Sequence, residues 1–416
     1  MPLPRALFFV SACSLTIFVG LLFTHLAEHA HSFLIVGLLG LALSASLNPR
    51  FKGFAYSFWI IAAVSISMSF PQYFLGFGDF NSKNLIIPLL QIIMFGMGSQ
   101  MSLSDFKGII KMPKGVAVGV LCQFSIMPII GFMIVSVFKF SPEIAAGVIL
   151  VGSSPSGLAS NVMAFLAKAN LALSVTLTAV ATLLSPVMTP FLMKLFAGQL
   201  IEIEFLKMMT SIFNMVILPI CAGLIFNLFS NSSNQKKLIQ LTSYSLIITL
   251  KNLLAYLASK DGLDSIFQAL IKDLCIFALL PLIGAYLFKS LANGRKDWLE
   301  KVLSLISMIG IAVIITVITA AGRDSLMDVG LLLVLACTLH NLFGYTLGYL
   351  FSKLLRMDEK DCRTIALEVG MQNSGLASGL ALQMGKMATV GLGPAVFGPL
   401  MNITGSSLAT WWRNKK

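Results

Sequence analysis

Charge is what this sequence has least of. Only 11% of its 416 residues are Asp, Glu, Lys or Arg, against about 25% in ordinary soluble domains. By contrast 57% are hydrophobic, and the mean hydropathy is +0.89. No water-soluble fold can bury that excess. Cysteine pairing is missing as well: Cys13, Cys122, Cys221, Cys275, Cys337 and Cys362 stand singly, all but Cys362 within apolar runs, with no CxxC and no spacing suited to zinc. That excludes a disulfide scaffold or a zinc module and leaves the cysteines as small apolar residues. The apolar runs do not alternate with polar residues, which excludes a transmembrane β-barrel. A net charge of +12 would suggest nucleic acid in a soluble protein, but here the cations are read by position. No nucleic-acid partner is expected, and nothing marks an obligate protein partner.

What is there is a series of apolar runs near the roughly 20 residues that a bilayer demands. They lie at about 6–25, 32–47, 54–74, 84–102, 115–138, 143–166, 170–197, 206–230, 301–321, 329–352, 362–384 and 391–412. The lipid bilayer is therefore the solvent, and the fold class is all-α and polytopic. Cytoplasmic loops collect Lys and Arg, and an alternating assignment with both termini cytoplasmic places 19 of the 29 cations inside and six outside. The other four, Lys251, Lys260, Lys272 and Lys289, fall in the less regular stretch 232–298. Two moderately apolar pieces there, about 238–257 and 266–289, lie between Lys236/Lys237 and Arg295/Lys296, which should share a side. A transmembrane hairpin satisfies this; an amphipathic cytoplasmic insertion is the alternative. The run after Arg5 has no convincing cleavage site and is expected to be a retained helix.

One string occurs twice. Ser156-Gly157-Leu158-Ala159-Ser160 returns as Ser374-Gly375-Leu376-Ala377-Ser378, each copy in the middle of a span and each among helix-interrupting residues: Gly152, Pro155 and Asn161 in one, Gly370, Gln372, Asn373 and Gly379 in the other. Interrupted helices at mid-depth leave backbone groups unpaired and are tolerated chiefly where they line a site. The two interrupted spans enter from opposite sides, which makes the halves antiparallel.

Beside the second break stands Glu368, the one acid deep in an otherwise uncharged span. A buried carboxylate needs a cation, a proton or a polar partner. The first break supplies oxygens for a hard monovalent cation: Ser160 and Asn161 at the break, and Ser174 and Thr178 four apart on one face of the following helix. Taken alone, Ser174 and Thr178 more often bond their own i−4 carbonyls. His340 is expected to be a packing residue rather than a proton shuttle.

Several further strings accompany these: Ile92-Ile93-Met94-Phe95-Gly96-Met97-Gly98, Ser104-Asp105-Phe106, Gln123-Phe124 with Ile126-Met127-Pro128, Ser185-Pro186 with Thr189-Pro190, Glu368-Val369-Gly370-Met371-Gln372-Asn373, and Asn402-Ile403-Thr404-Gly405-Ser406. With them the chain resembles the bile acid:sodium symporter family over about 54–231 and 299–413. The resemblance implies two inverted five-helix repeats with two crossing broken helices, a panel domain moving against a core domain, and sodium, in two sites, as the coupling ion. One site would use Ser160, Asn161, Ser174, Thr178 and Glu368. The other would use Gln123, Glu368, Val369, Met371 and Gln372, with Val369 and Met371 acting through backbone carbonyls. Gln123 is reached only through the resemblance; on residues alone it is a polar side chain in an apolar span.

Domain organisation then divides as extra N-terminal helices (1–53), the first repeat and first panel helix of the second (54–231), an insertion (232–298) and the remainder of the second repeat (299–416). The resemblance further implies that Leu158 and Met401 stand where bacterial relatives often have Thr and His facing the substrate, which shifts recognition toward backbone amides and Asn373 or Asn402. Half-helix N-termini at the crossing favour a small organic anion as the partner to be bound. The expected function is sodium-coupled import of such an anion, bile-acid-like or a small carboxylate such as pantoate or a 2-oxo acid, across a cell membrane, most simply the bacterial inner membrane. Alternatives within the fold are an arsenite exporter, which would want a cysteine where Ser153 and Ser154 stand, and a proton-coupled transporter. An intramembrane hydrolase built on Gly405-Ser406-Ser407 and His340 lacks an oxyanion arrangement, and no enzyme activity is expected.

Overall fold

The computed structural model describes residues 3–21, 23, 27–48, 51–101, 107–231, 248–249, 251–253, 263–291 and 296–415, and nearly all of them are helical. Eight helices among the described residues are long and apolar enough to cross a bilayer. The chain is an all-α polytopic membrane protein. The single sheet among the described residues is a two-stranded hairpin pairing Gly76 with Asn81 and Phe77 with Phe80.

In chain order the long elements are α1 (Leu3–Leu21), α2 (Ala27–Leu47), α3 (Lys52–Ser69), α4 (Ile86–Gln100) and α5 (Pro113–Phe138), then α6 (Pro142–Ser153), α7 (Ala159–Leu166) and α8 (Leu171–Ala197). Next come α9 (Phe205–Ile212), continued through a π-helical turn, Phe213–Ile217, into α10 (Leu218–Asn231), and α11 (Leu263–Leu274), continued likewise into α12 (Leu280–Leu291). The last five are α13 (Lys296–Ala321), α14 (Arg323–Leu354), α15 (Glu359–Gly370), α16 (Ser374–Gln383) and α17 (Leu392–Asn414).

Local sequence sets the ends. Proline opens α5 and α6 at the first turn, where its missing N–H costs no bond. Asn170 caps α8 by accepting from the Leu173 N–H at 3.1 Å, and Asn373 caps α16 by accepting from the Leu376 N–H at 3.0 Å. The π turn after α9 leaves the Asn214 carbonyl to an outside donor, and the Gln91 amide supplies it at 3.1 Å.

Without water to drive association, helices in lipid pack through small residues. A Cβ on Gly98 would lie 2.0 Å from the Ile220 carbonyl oxygen, and one on Gly223 would lie 2.2 Å from that of Phe95. These two glycines are what lets α4 and α10 meet backbone to backbone.

The additional helices join the bundle at α3 and at α10. α1 packs on α2, α2 on α3, and α12 on α10. Leu218, Ala222, Ile225, Ile248 and Phe277 form the buried cluster between the insertion and α10. Of the charges that interrupt the apolar pieces of the insertion, Lys251, Lys272 and Asp273, the first and last pair with each other: Lys251 Nζ donates to Asp273 Oδ2 at 2.7 Å, and Asn252 Nδ2 to the same oxygen at 3.1 Å. Most of 238–257, together with Lys236, Lys237, Arg295 and Ser104-Asp105-Phe106, lies outside the described residues. The span expected at 54–74 ends as a helix at Ser69, two residues before Pro71.

Candidate functional site

Two helices stop inside the bundle and restart. α6 ends at Ser153 and α7 begins at Ala159; α15 ends at Gly370 and α16 begins at Ser374. The first half-helix therefore starts at Ala159, four residues after Pro155. The unwound stretches lie against each other. Ser156 and Gln372 are bridged in antiparallel register, the Gly157 N–H donates to the Met371 carbonyl at 2.9 Å, and the Asn373 N–H donates to the Pro155 carbonyl at 2.8 Å. Backbone groups released by each break are thus satisfied in part by the other, as a non-aqueous setting requires.

Glu368 lies one turn before the second break and is buried. Its carboxylate accepts from Ser160 Oγ at 2.6 Å, Ser174 Oγ at 2.5 Å and Thr178 Oγ1 at 2.9 Å. Asn161 Oδ1 lies 2.8 Å from Ser174 Oγ and 3.2 Å from Thr178 Oγ1. The five residues singled out in the sequence therefore converge from α7, α8 and α15. Ser174 and Thr178 do not turn back on their own helix, whereas Thr176 and Thr182 of the same helix do. The arrangement gathers carboxylate, hydroxyl and amide oxygens in one buried place, the donor set that hard cations prefer.

On the other side of the break, Gln123 of α5 donates through Nε2 to the Ser154 carbonyl at 2.9 Å and to Gln372 Oε1 at 2.7 Å. Gln372 Nε2 in turn donates to the Val369 carbonyl at 2.5 Å. Gln123 Oε1 is buried and has no donor among the described residues. A buried acceptor left without a donor is costly unless something electropositive meets it, so the second candidate set also fits a cation.

Other polar residues hold this region, and sequence reasoning missed them. Asn341 donates through Nδ2 to the Gly370 carbonyl at 2.8 Å, fixing the last turn of α15, and its Oδ1 accepts from Thr404 Oγ1 at 2.5 Å. Tyr345 OH donates to the Met401 carbonyl at 3.2 Å. An Asn and a Tyr on one face of an apolar helix were the available signal.

Of the residues expected to face a substrate, Leu158 is exposed beside the first break, Asn373 spends its carbonyl oxygen on capping α16, Met401 is buried and Asn402 is half-buried. His340 is a packing residue: Nε2 lies 2.8 Å from the Met127 carbonyl oxygen, and the ring meets Phe397 edge-on at 5.7 Å. Ser406 and Ser407 bond Met163 Sδ and the Ile403 carbonyl rather than His340.

The profile of the Sodium Bile acid symporter family matches residues 87–263. Along almost the whole length of the protein there is a likeness to the uncharacterized sodium-dependent transporter YocS of Bacillus subtilis, 35% identical over 367 residues, which is 88% of this chain and 93% of that protein. The chain belongs to the sodium bile acid symporter family. Other members that it resembles are the probable sodium/metabolite cotransporter BASS1, chloroplastic, of Arabidopsis thaliana, 30% identical over 86% of this chain and 73% of that protein, and the human ileal sodium/bile acid cotransporter, 28% identical over 70% and 66%. The family consists of transporters, not enzymes. Its matched stretch runs from α4 across both faces of the first break and on into the insertion.

Proposed function

We propose that this family member is a sodium-coupled symporter that imports an organic anion by alternating access, with both termini cytoplasmic in a cell membrane, most simply a bacterial inner membrane. The observation that carries this is the convergence of Ser160, Asn161, Ser174 and Thr178 on the buried carboxylate of Glu368. In one sodium site these oxygens surround the ion. In the other, Gln123 Oε1, Gln372 and the carbonyls of Val369 and Met371 surround a second, with Glu368 offsetting charge for both. When sodium is bound, the hydroxyl protons that now point at Glu368 turn away and leave lone pairs to the ion.

The fold is read as two inverted five-helix repeats, α3 to α8 and α9 to α17 without the insertion. In support, the broken helix is the fourth span of each set. The anion is placed at the crossing, between Leu158, Asn373, Met401 and Asn402, where positive half-helix ends and bound sodium favour negative charge. Occupancy by either ligand then tightens the other. Relatives named for metabolites and for bile acid support an organic cargo, and an apolar wall of Leu158 and Met401 suits a branched or steroid-like acid.

The test is thermal unfolding of purified protein in sodium against potassium with a panel of carboxylates. Sodium is expected to stabilise the wild type, and one class of anion to add to that only in sodium. Stabilisation by neutral or cationic solutes and by no organic anion would overturn the anion assignment. Uptake that follows pH and ignores sodium would make Glu368 a proton carrier.

A further inference from the structure

The Ser185-Pro186 and Thr189-Pro190 pairs of α8 play no part in either sodium set, yet they continue a pattern that begins there. Ser174, Thr178, Thr182, Ser185 and Thr189 recur at intervals of 4, 4, 3 and 4, and every one is at most 3% exposed. At about 100° per residue all five fall within an arc of about 80° on one face of the helix. The first two touch Glu368. Thr182 donates its hydroxyl proton to the Thr178 carbonyl at 2.6 Å, and Ser185 donates to the Thr182 carbonyl at 2.7 Å. A hydroxyl that has given its proton to the backbone presents only lone pairs to anything beside it.

Prolines make the oxygen excess larger. Pro186 and Pro190 lie inside α8 and bring no N–H, so the carbonyls one turn earlier, of Thr182 and Pro186, lose their helical donors. Ser185 compensates the first. Thr189 Oγ1, fully buried at the next step, has no partner among the described residues. Ser153 Oγ, at the end of α6, is another buried hydroxyl without a partner among the described residues, and α6 packs along α8.

From Thr178 to Thr189 the helix rises about 16 Å. Past the end of α8 at Ala197 the chain runs through Leu200, Ile201 and Glu202, which line a cleft together with Ser141, Glu143 and Lys386. Lys386 is paired with Glu143, which leaves Glu202 as excess negative charge at this mouth. Acids at a mouth raise the local concentration of cations. Glu368 thus stands at one end of the row of buried oxygens, and Glu202 lies past the other end, beyond the last two turns of α8.

We propose that this hydroxyl ladder is the route by which a monovalent cation passes between the cleft and the Glu368 site, each step exchanging one set of hydroxyl and carbonyl oxygens for the next. It rests on the sodium reading above and adds the side from which the ion enters. No side chain on the ladder carries charge, so an ion can be handed on without being trapped.

Silver ion tests this, because it is monovalent, small and bonds irreversibly to thiolate. Ser185→Cys and Thr189→Cys, both close in size to the native residue, are made singly in a variant without the six native cysteines, with Leu183→Cys on the exposed face of α8 as the control. Inactivation of the two ladder cysteines by silver is expected, and sodium at ten times its dissociation constant should slow it about tenfold against potassium by simple competition. Reaction at Leu183→Cys should ignore sodium. Ladder cysteines that react no faster than the control, or that react without protection by sodium, would overturn the route; the second result would make it a path for water or protons. If wild-type protein shows no sodium stabilisation at all, the sodium reading fails and the ladder fails with it.

Discussion

Glu368→Gln isolates charge from shape. The side chain keeps its length, so α15 and the break should persist, but the ion loses its only anionic ligand in either set. A unit charge about 3 Å from the carboxylate at an effective dielectric of about 20 gains roughly 5 kcal/mol. Three hydroxyls now bonded to that carboxylate must also reorient, because an amide nitrogen cannot accept from them. Allowing for an amide oxygen that still contributes, the loss should be about 3–5 kcal/mol, or a hundred- to several-thousand-fold in sodium affinity at about 1.4 kcal/mol per decade. Mass action turns this into a measurable number. Sodium at a hundred times the wild-type dissociation constant stabilises by about 2.7 kcal/mol, and after a hundredfold loss the same concentration gives only about 0.4 kcal/mol. Thermal unfolding in sodium and in potassium reads the difference, while the melting temperature in potassium checks that the variant is folded. A Glu368→Gln protein that folds and keeps the full sodium-dependent shift would refute the reasoning.

Three further outcomes can be checked. Ser174→Ala and Thr178→Val each remove one oxygen from a charged centre, a contribution of about 1.5–3 kcal/mol, and titration of unfolding temperature with sodium should show the midpoint rising by at least tenfold; an unchanged midpoint for both would remove them from the site. Gln123→Leu should leave the Glu368 cluster intact but reduce the sodium cooperativity of transport from near two ions to one, and a Hill slope that stays at the wild-type value would assign Gln123 to structure alone. In the insertion, Lys251→Met strands Asp273 in an apolar setting and should cost about 3–5 kcal/mol, whereas Lys251→Met with Asp273→Leu should recover most of it; chemical unfolding of both variants in detergent decides, and equal losses would mean that the pair is not what matters there.

Composition and run length were enough to make the polytopic α fold legible, because a bilayer leaves few other ways to satisfy a backbone. The cluster of oxygens around Glu368 was legible in part for a local reason: Glu368 is conspicuous in an uncharged span, and Ser174 and Thr178 share a face by spacing alone. Gln123 was not, since its role depends on an unpaired oxygen that only its placement against Ser154 and Gln372 creates. Asn341 escaped for the same reason, its partner being the end of a helix 29 residues away. The π turns at 213–217 and 275–279 have no periodic signature, because each adds one residue to a turn without changing composition. Lys251 and Asp273 looked like flaws in two weak spans, and only their pairing across the insertion shows how such spans tolerate them.

The ribbon joining Pro155-Ser156-Gly157 to Met371-Gln372-Asn373 has a consequence for how the protein is made. The first break leaves the ribosome more than two hundred residues before its counterpart, and until then its freed carbonyl and amide groups face lipid or retained water with no partner strand. The N-terminal half is thus an unfinished structure during synthesis, able to insert but not to close. Its interruption must stay open, or be held by the insertion machinery, until residues 371–373 arrive. Expressed as separate pieces divided within 232–262, the two halves would each carry one edge of the ribbon, and neither edge could be satisfied except by the other.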